Sequence, residues 1–395
     1  MNALPRQPPL AVSVTGPKLL FLVTEDWYFC SHRLPVARAA RDAGFAVAVA
    51  TRVRAHGEAI RAEGFALYPL GWRRRGDGPR GHVRAIAEIA RLYRRERPDI
   101  VHHVALKPVL FGALATRLAF PSGGAPRRVS AVMGLGSGLG GFAGGWRKTL
   151  LGRALKRAAG TGAVIVQNPE DRAALTGLGV KPERIALIRG SGVETPHFSP
   201  LPEPEGPTVA VGLVGRMLRS KGVLDAAAAV RRLRADGIAV ELLLAGTPDE
   251  GSADSLSEAE LDTLSREPGV VRLGHVADVR TVWRRAQIAV LPSRYGEGVP
   301  KSLLEAAACA RPIIAADMPG CREIARHGET GLLVPPGDVA ALGAAIAELA
   351  GDKARREAMG RAARRLVERD FADAVVADQT LAVYRSILRE RDNEP

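Results

Sequence analysis

The sequence predicts an α/β protein made of two Rossmann-like, doubly wound domains that face a central cleft. Three observations lead there. Short β-branched runs alternate with helical stretches, the pattern of parallel sheets with crossover helices. The alternation comes in two series, one in each half of the chain. Finally, 395 residues exceed what one core usually serves.

The first series has strand patterns at 19–24, 46–51, 66–70, 100–103, 128–132 and 163–166. Helical patterns lie between them at 34–43, 83–97 and 109–119. The second series has strand patterns at 209–214, 240–245, 270–273, 288–291, 313–316 and 332–334. Between the series, residues 199–207 (SPLPEPEGP) hold four prolines and two glutamates, as an exposed linker would. After the last strand the pattern is helical only. The expected organisation is a leader at 1–17, a first domain at 18–200, a second at 201–372 and a closing helix at 373–395 that packs back on the first domain. No short-period repeat, collagen-like or coiled-coil stretch occurs.

Composition narrows the function classes. Apolar residues make up 46%, which suits a packed globular protein. No run of about 18 uncharged apolar residues is present, so no spanning helix is expected. Residues 1–17 lack a basic region followed by a sustained apolar core, and read as a flexible leader rather than a signal peptide. Cys30, Cys309 and Cys321 form neither metal spacing nor a disulfide framework, which suits a reducing cytoplasm. The net charge of +14 favours polyanionic partners: nucleic acid, anionic lipid or phosphorylated substrates. A merely basic, solvated surface is the alternative.

The second half carries the sharper motifs. Residues 215–222 read GRMLRSKG, directly after a strand and before an alanine-rich helix. Arg216 and Lys221 thus stand beside a helix N-terminus, a setting that suits a diphosphate; ordinary solvated charges are the alternative. Residues 297–305 read EGVPKSLLE. Pro300 suits a first helical turn, so Glu297 precedes the helix and Glu305 lies one turn inside it. Backbone N–H groups at 298–301 would point into the cleft. A carboxylate accepts two hydroxyl donors at once, which suits the vicinal diols of a sugar. Glu305 lies among Leu303, Leu304 and Ala306, so it is expected to be buried and to need a partner.

These segments, with LPSRYGEGVPKSLLEAAACARPIIAADMPGCREIARHGETGLLVPPGD around them, resemble the E-x7-E context of retaining glycosyltransferases of the GT-B fold, family 4. The resemblance spans nearly all of the second half. It implies a nucleotide-sugar co-substrate, UDP-linked by frequency in the family. Arg216, Lys221 and Glu297 would be the catalytic group. Arg216 and Lys221 would hold the diphosphate, and Glu305 the ribose hydroxyls. Glu297, with backbone of Gly298, Val299 and Pro300, would touch the transferred sugar, with Ser302 and Leu303 by the phosphates. His275 and Val276 would pass the nucleobase. The second domain would be the donor domain and the first the acceptor domain.

The first half resembles the family less closely. After its first strand, EDWYFCSHRLP puts Trp27, His32 and Arg33 at the cleft; His32 also reads as a plain helix N-terminal residue. HHVALKP places His103 and Lys107 at the end of a later strand, with one of His102 and His103 facing the cleft. In VMGLGSGLGG (132–141), Gly136 and Ser137 would let backbone approach the acceptor. The HR-x-P and G-L-G-S loops resemble bacterial enzymes that elongate polyprenyl-diphosphate-linked oligosaccharides. Met133 stands where many members carry a histidine credited with assisting the donor sugar, which leaves a single catalytic base unassigned. In one account of retention, the departing phosphate oxygen takes the acceptor proton.

Three further expectations follow. No Asp-x-Asp ends a strand and no His/Cys cluster occurs, so neither metal nor cofactor is expected beyond the nucleotide sugar. Residues 142–159 (FAGGWRKTLLGRALKRAA), helped by 72–75 (WRRR), read either as a basic amphipathic helix on an anionic membrane or as a core-packed helix with solvated cations. The membrane reading makes the protein peripheral on the inner face of the plasma membrane. Two competing readings are a nucleotide-sugar epimerase on the same fold and a nucleic-acid-binding protein. The E-x7-E context opposes the first, and the lack of a recognised nucleic-acid module opposes the second.

Overall fold

The computed structural model describes residues 16–72, 78–132, 152–153, 156–157, 162–249, 251–296 and 298–392. Its first strand, β1 (Lys18–Glu25), is apolar along nearly its whole length and buried at Leu19–Val23. Such a run has no solvent face, as expected of a central strand in a parallel sheet. β1 pairs in parallel with β2 (Ala46–Arg52) on one side and β4 (Ile100–Val104) on the other. With β3 (Ala66–Pro69), β5 (Arg127–Ala131), β6 (Ala163–Val166) and β7 (Ile185–Leu187) the order is β3-β2-β1-β4-β5-β6-β7.

The second sheet repeats the plan. β8 (Val209–Val214) lies between β9 (Val240–Ala245) and β11 (Ile288–Leu291). With β10 (Val270–Gly274), β12 (Ile313–Ala316) and β13 (Gly331–Val334) the order is β10-β9-β8-β11-β12-β13. Each sheet therefore has one switch point, β1/β4 and β8/β11, where the crossovers turn in opposite directions. Ligands of doubly wound sheets bind beyond the carboxyl ends of the strands at that place.

Helices cover both faces. In the first domain Gly78–Glu96 and Leu106–Ala119 pack on one face, around Ile89, Tyr93 and Ala115. Leu34–Asp42 and Asp373–Asp392 cover the other, around Val36, Ala40, Leu381 and Tyr384. The last helix thus belongs to the core of the first domain although it follows the second in sequence. The two connections meet where Val193 N–H donates to the Phe371 carbonyl (3.0 Å) and Asp373 N–H to the Val193 carbonyl (3.0 Å). In the second domain Val223–Ala235 and Val339–Gly351 pack on one face and Lys301–Ala308 and Lys353–Asp370 on the other.

Three local features depart from the sequence pattern. β7 is three residues long, too short to show alternation. Residues after β1 form the helix Asp26–His32 rather than an open loop. The Asp26 carboxylate accepts the N–H groups of Trp27 (2.8 Å), Arg54 (2.7 Å) and His56 (2.9 Å). Two of these donors come from the loop after β2, so the helix is fixed by contacts remote in sequence. In the second domain Pro300 caps Lys301–Ala308 instead of entering its first turn.

Candidate active site

The loop after β8 and the loop after β11 lie against each other. Gly222, at φ 72°, sits so close to the second loop that a Cβ would meet the Pro292 carbonyl oxygen at 2.2 Å. Arg294 N–H donates to the Ser220 carbonyl (2.8 Å), and the Arg294 guanidinium pairs with Asp225 (2.6 and 2.8 Å). The Arg216–Lys221 segment and residues 292–294, which lead towards the Glu305 helix, are thereby held together at the β8/β11 switch point.

That unit faces the first domain. Lys301 donates from its ammonium to the Ser31 carbonyl. His32 stacks on Tyr28 with ring centroids 4.1 Å apart. Burial pushes the His32 pKa down to about 3, with the charges of Lys301, Arg33 and Lys221 adding to the effect. A neutral imidazole thus stands where the cations of the second domain converge.

Between the domains lies a cleft of about 950 Å³. The first domain lines it with Glu25, Trp27, Arg52 and Arg54, the second with Arg216, residues 246–249, Gly251, Glu258 and His275. The sequence motifs do not point to Glu25, Arg52, Arg54 or Asp249; the available signal is their place at or just past the carboxyl ends of β1, β2 and β9. Arg216 pairs with Asp249, and Arg52 lies 3.7 Å from Glu25.

Glu305 is half-buried in the helix Lys301–Ala308. Burial pushes its pKa up to about 7; Lys301, one turn earlier, opposes this, and Asp373 adds to it. The nearby positive charge that tempers this burial is Lys301, whose ammonium itself donates to the Ser31 carbonyl. Asp373 is itself pushed up to about 6 by burial, and its Oδ1 is buried without a hydrogen bond.

Several expected positions lie elsewhere. His103 is fully buried, bonded to the Tyr93 hydroxyl (3.0 Å) beneath the helix Leu106–Ala119. A Cβ on Gly112 would meet its Nε2 at 2.3 Å, so the helix closes directly over the ring. His102 is equally buried, with Nδ1 2.5 Å from the Tyr384 hydroxyl. Neither histidine faces the cleft. Lys107 lies over the rings of Trp72 (5.7 Å) and Phe111 (5.3 Å). Arg33 is 2% exposed, so it stands behind the cleft wall and acts on His32 and His102 through its charge. Trp72 is also buried, which removes it from any membrane-facing run. Val299 and Leu303 send their side chains into the core, and Leu303 N–H is taken by the Pro300 carbonyl (3.1 Å). Ser302 and Gly298 are half-buried, and Val276, next to the cleft-lining His275, packs against the core of the second domain. Glu297, Gly136, Ser137 and nearly all of residues 142–159 lie outside the described residues. Among the described residues no group of His, Cys, Asp or Glu could hold a metal ion, and no helix is long and apolar enough to cross a membrane.

Residues 208–352 match the family described as glycosyl transferases group 1, and residues 18–168 match glycosyl transferase 4-like domains. Curated relatives include the capsular polysaccharide biosynthesis glycosyltransferase CapM of Staphylococcus aureus, 28% identical over 47% of this chain and 48% of CapM. The putative colanic acid biosynthesis glycosyltransferase WcaL of Salmonella typhimurium is 30% identical over 54% of each chain. The alignments span about half the length of these two relatives. HepE of Anabaena, solved in complex with UDP and glucose, superposes with a TM-score of 0.75 at 19% identity, over 94% of this chain and 100% of HepE. Sucrose-phosphate synthase of Thermosynechococcus elongatus gives 0.76 at 20%, over 95% and 100%. Residues 208–352 thus form a group 1 glycosyltransferase domain and residues 18–168 a glycosyl transferase 4-like domain, and together they adopt the GT-B fold of the structural neighbours.

Proposed function

We propose that this chain is a retaining glycosyltransferase for surface polysaccharide or glycoconjugate synthesis. It moves a hexose or N-acetylhexosamine from a UDP-sugar to a glycan or polyprenyl-diphosphate-linked acceptor. The observation that carries the reading is the contact between the Arg216–Lys221 loop and the loop that starts the Glu305 helix. Cations and a carboxylate-bearing helix start then grip one sugar nucleotide. The UDP complex of HepE and the names of the capsular and colanic acid relatives favour the same reading.

In this reading Arg216 and Lys221 hold the donor diphosphate and stabilise its charge as the glycosidic bond breaks. Glu305 accepts the two ribose hydroxyls, and His275 with Val276 flanks the base. The departing phosphate oxygen takes the acceptor proton on the face where the new bond forms, which retains configuration. Glu25, Trp27, Arg52 and Arg54 form the opposite wall, where an acceptor sugar would stack and hydrogen-bond. A basic surface suits an acceptor embedded in an anionic membrane.

The test is incubation with a panel of nucleotide sugars and polyprenyl-diphosphate-linked or free glycan acceptors, followed by product mass. One added hexose or N-acetylhexosamine is expected, with the anomeric configuration of the donor kept. Inversion at that carbon, or no transfer from any nucleotide sugar, would refute the proposal.

A further inference from the structure

We propose that Gln167 is a positioning residue for the donor site, holding the turn at 298–301 from across the domain boundary. The inference rests on the donor reading above. Gln167 follows β6 of the first domain and is 3% exposed. Its Oε1 accepts the N–H of Val299 at 3.1 Å, 132 residues further along the chain. Its backbone has little freedom. The next residue, Asn168, caps the helix Pro169–Gly177 by accepting Asp171 N–H (2.7 Å) and donates to the Asp171 carboxylate (3.0 Å).

The held amide belongs to a turn with no slack. Val299 is 6% exposed and packs beside Gly190, where φ is +73°. A Cβ on Gly190 would stand 3.2 Å from Phe371, 3.3 Å from Leu304 and 3.7 Å from the Val299 Cβ. A buried N–H here needs an acceptor, and the Gln167 amide oxygen supplies one without adding charge beside a diphosphate site. On its other side the turn is tied to the Ser31 carbonyl by Lys301. Two separate elements of the first domain thus fix the start of the helix that carries Glu305. Misplacement of a binding group by about 1 Å can cost about a hundredfold in rate, so the acceptor domain sets how well the donor site is formed.

The experiment compares Gln167→Met, which fills the same space without an oxygen acceptor, and Gln167→Glu, which keeps one. Hydrogen exchange of the peptide containing Val299 is measured on the full unliganded chain. Affinity for UDP, GDP and ADP, each alone, is measured by calorimetry. Expected for Q167M are at least tenfold faster exchange and at least tenfold weaker binding of whichever diphosphate the parent binds. Q167E should exchange at the parent rate. Should Q167M not fold, Gln167→Asn, which draws the oxygen back by one methylene, takes its place. Unchanged exchange overturns the proposal, as does faster exchange with unchanged affinity, which would make the contact merely structural. A parent chain that binds none of the three diphosphates removes the donor reading and this inference together. A parent that binds while Q167M binds equally well removes the inference alone.

Discussion

The ammonium of Lys301 donates to the main-chain carbonyl of Ser31, 270 residues earlier, and so spans the boundary between the two domains. The same cation acts on three titratable groups around it: His32, Glu305 and Asp373. It lowers the pKa of each, holding the imidazole neutral and opposing the rise that burial imposes on both carboxylates. Lys301→Met therefore leaves Glu305 to climb above about 7. If ionised Glu305 receives the ribose, the acid limb of donor kcat/KM lies near neutrality in the parent. It moves up by about one unit in K301M and returns in Lys301→Arg. Superimposable pH profiles for K301M and the parent would show that Lys301 does not govern Glu305.

Glu305 also makes the unliganded chain less stable at high pH. Its folded pKa of about 7 stands above the ordinary 4.5 because of burial. Such a group binds its proton more tightly in the folded state, so stability falls as pH rises from about 4.5 through 7 and the loss is complete beyond. Glu305→Gln removes the titration. Its unfolding midpoint should exceed the parent's at about pH 8, by an effect on the order of 1–3 kcal/mol, and the two midpoints should converge towards about pH 4. Donor binding should weaken in the same variant, since a stabilising change at a binding group commonly costs function. Equal midpoints at about pH 8 would mean that the carboxylate is better solvated than its surroundings imply.

Arg216 meets the cleft already paired with Asp249, the first with 38% and the second with 16% of its side chain exposed. In the proposed donor reading a diphosphate competes with that carboxylate for the guanidinium. Asp249→Asn should tighten binding of UDP by about threefold, the scale of a partly exposed ion pair. Arg216→Ala and Lys221→Ala should each lower transfer by about a hundredfold or more, as loss of a cation at a developing charge does, with unfolding midpoints close to the parent's. Full transfer in both alanine variants would show that the diphosphate binds elsewhere.

Most strands were legible because they contain a short apolar run, such as Leu19–Val23 in β1 and Ile288–Leu291 in β11, which is what a parallel sheet buried on both faces requires. The loop of Arg216 and Lys221 was legible because a glycine-bounded, basic segment between a strand and a helix has a local signature. What escaped has remote causes. The helix Asp26–His32 is fixed by amides of Arg54 and His56 beyond β2. Gln167 sits in a stretch with no motif, and its partner lies in the other domain. The outward reading of His103 failed because its facing depends on Gly112, whose missing side chain lets a helix close over the ring. A strand pattern tells which residues alternate, not which face a later helix will seal.

That sealed ring separates two kinds of first-domain residue. His103 is bonded to Tyr93 inside the core, and burial pushes its pKa down to about 3, so it stays neutral and out of reach of an acceptor. Trp27 and Arg54, by contrast, line the cleft opposite Arg216. His103→Gln should lower the unfolding midpoint, because the Tyr93 hydroxyl loses a well-placed partner at a cost of about 1–3 kcal/mol, yet leave the acceptor KM within about twofold. Trp27→Ala and Arg54→Ala should do the reverse: the midpoint holds, and the acceptor KM rises by about tenfold, as loss of one stacking surface or charged hydrogen bond predicts. Steady-state kinetics with varied acceptor at saturating donor, beside thermal melts of all three variants, reads both effects. If H103Q raised the acceptor KM while R54A did not, the acceptor would bind under the helix Leu106–Ala119 rather than in the cleft, and the wall assigned here would be wrong.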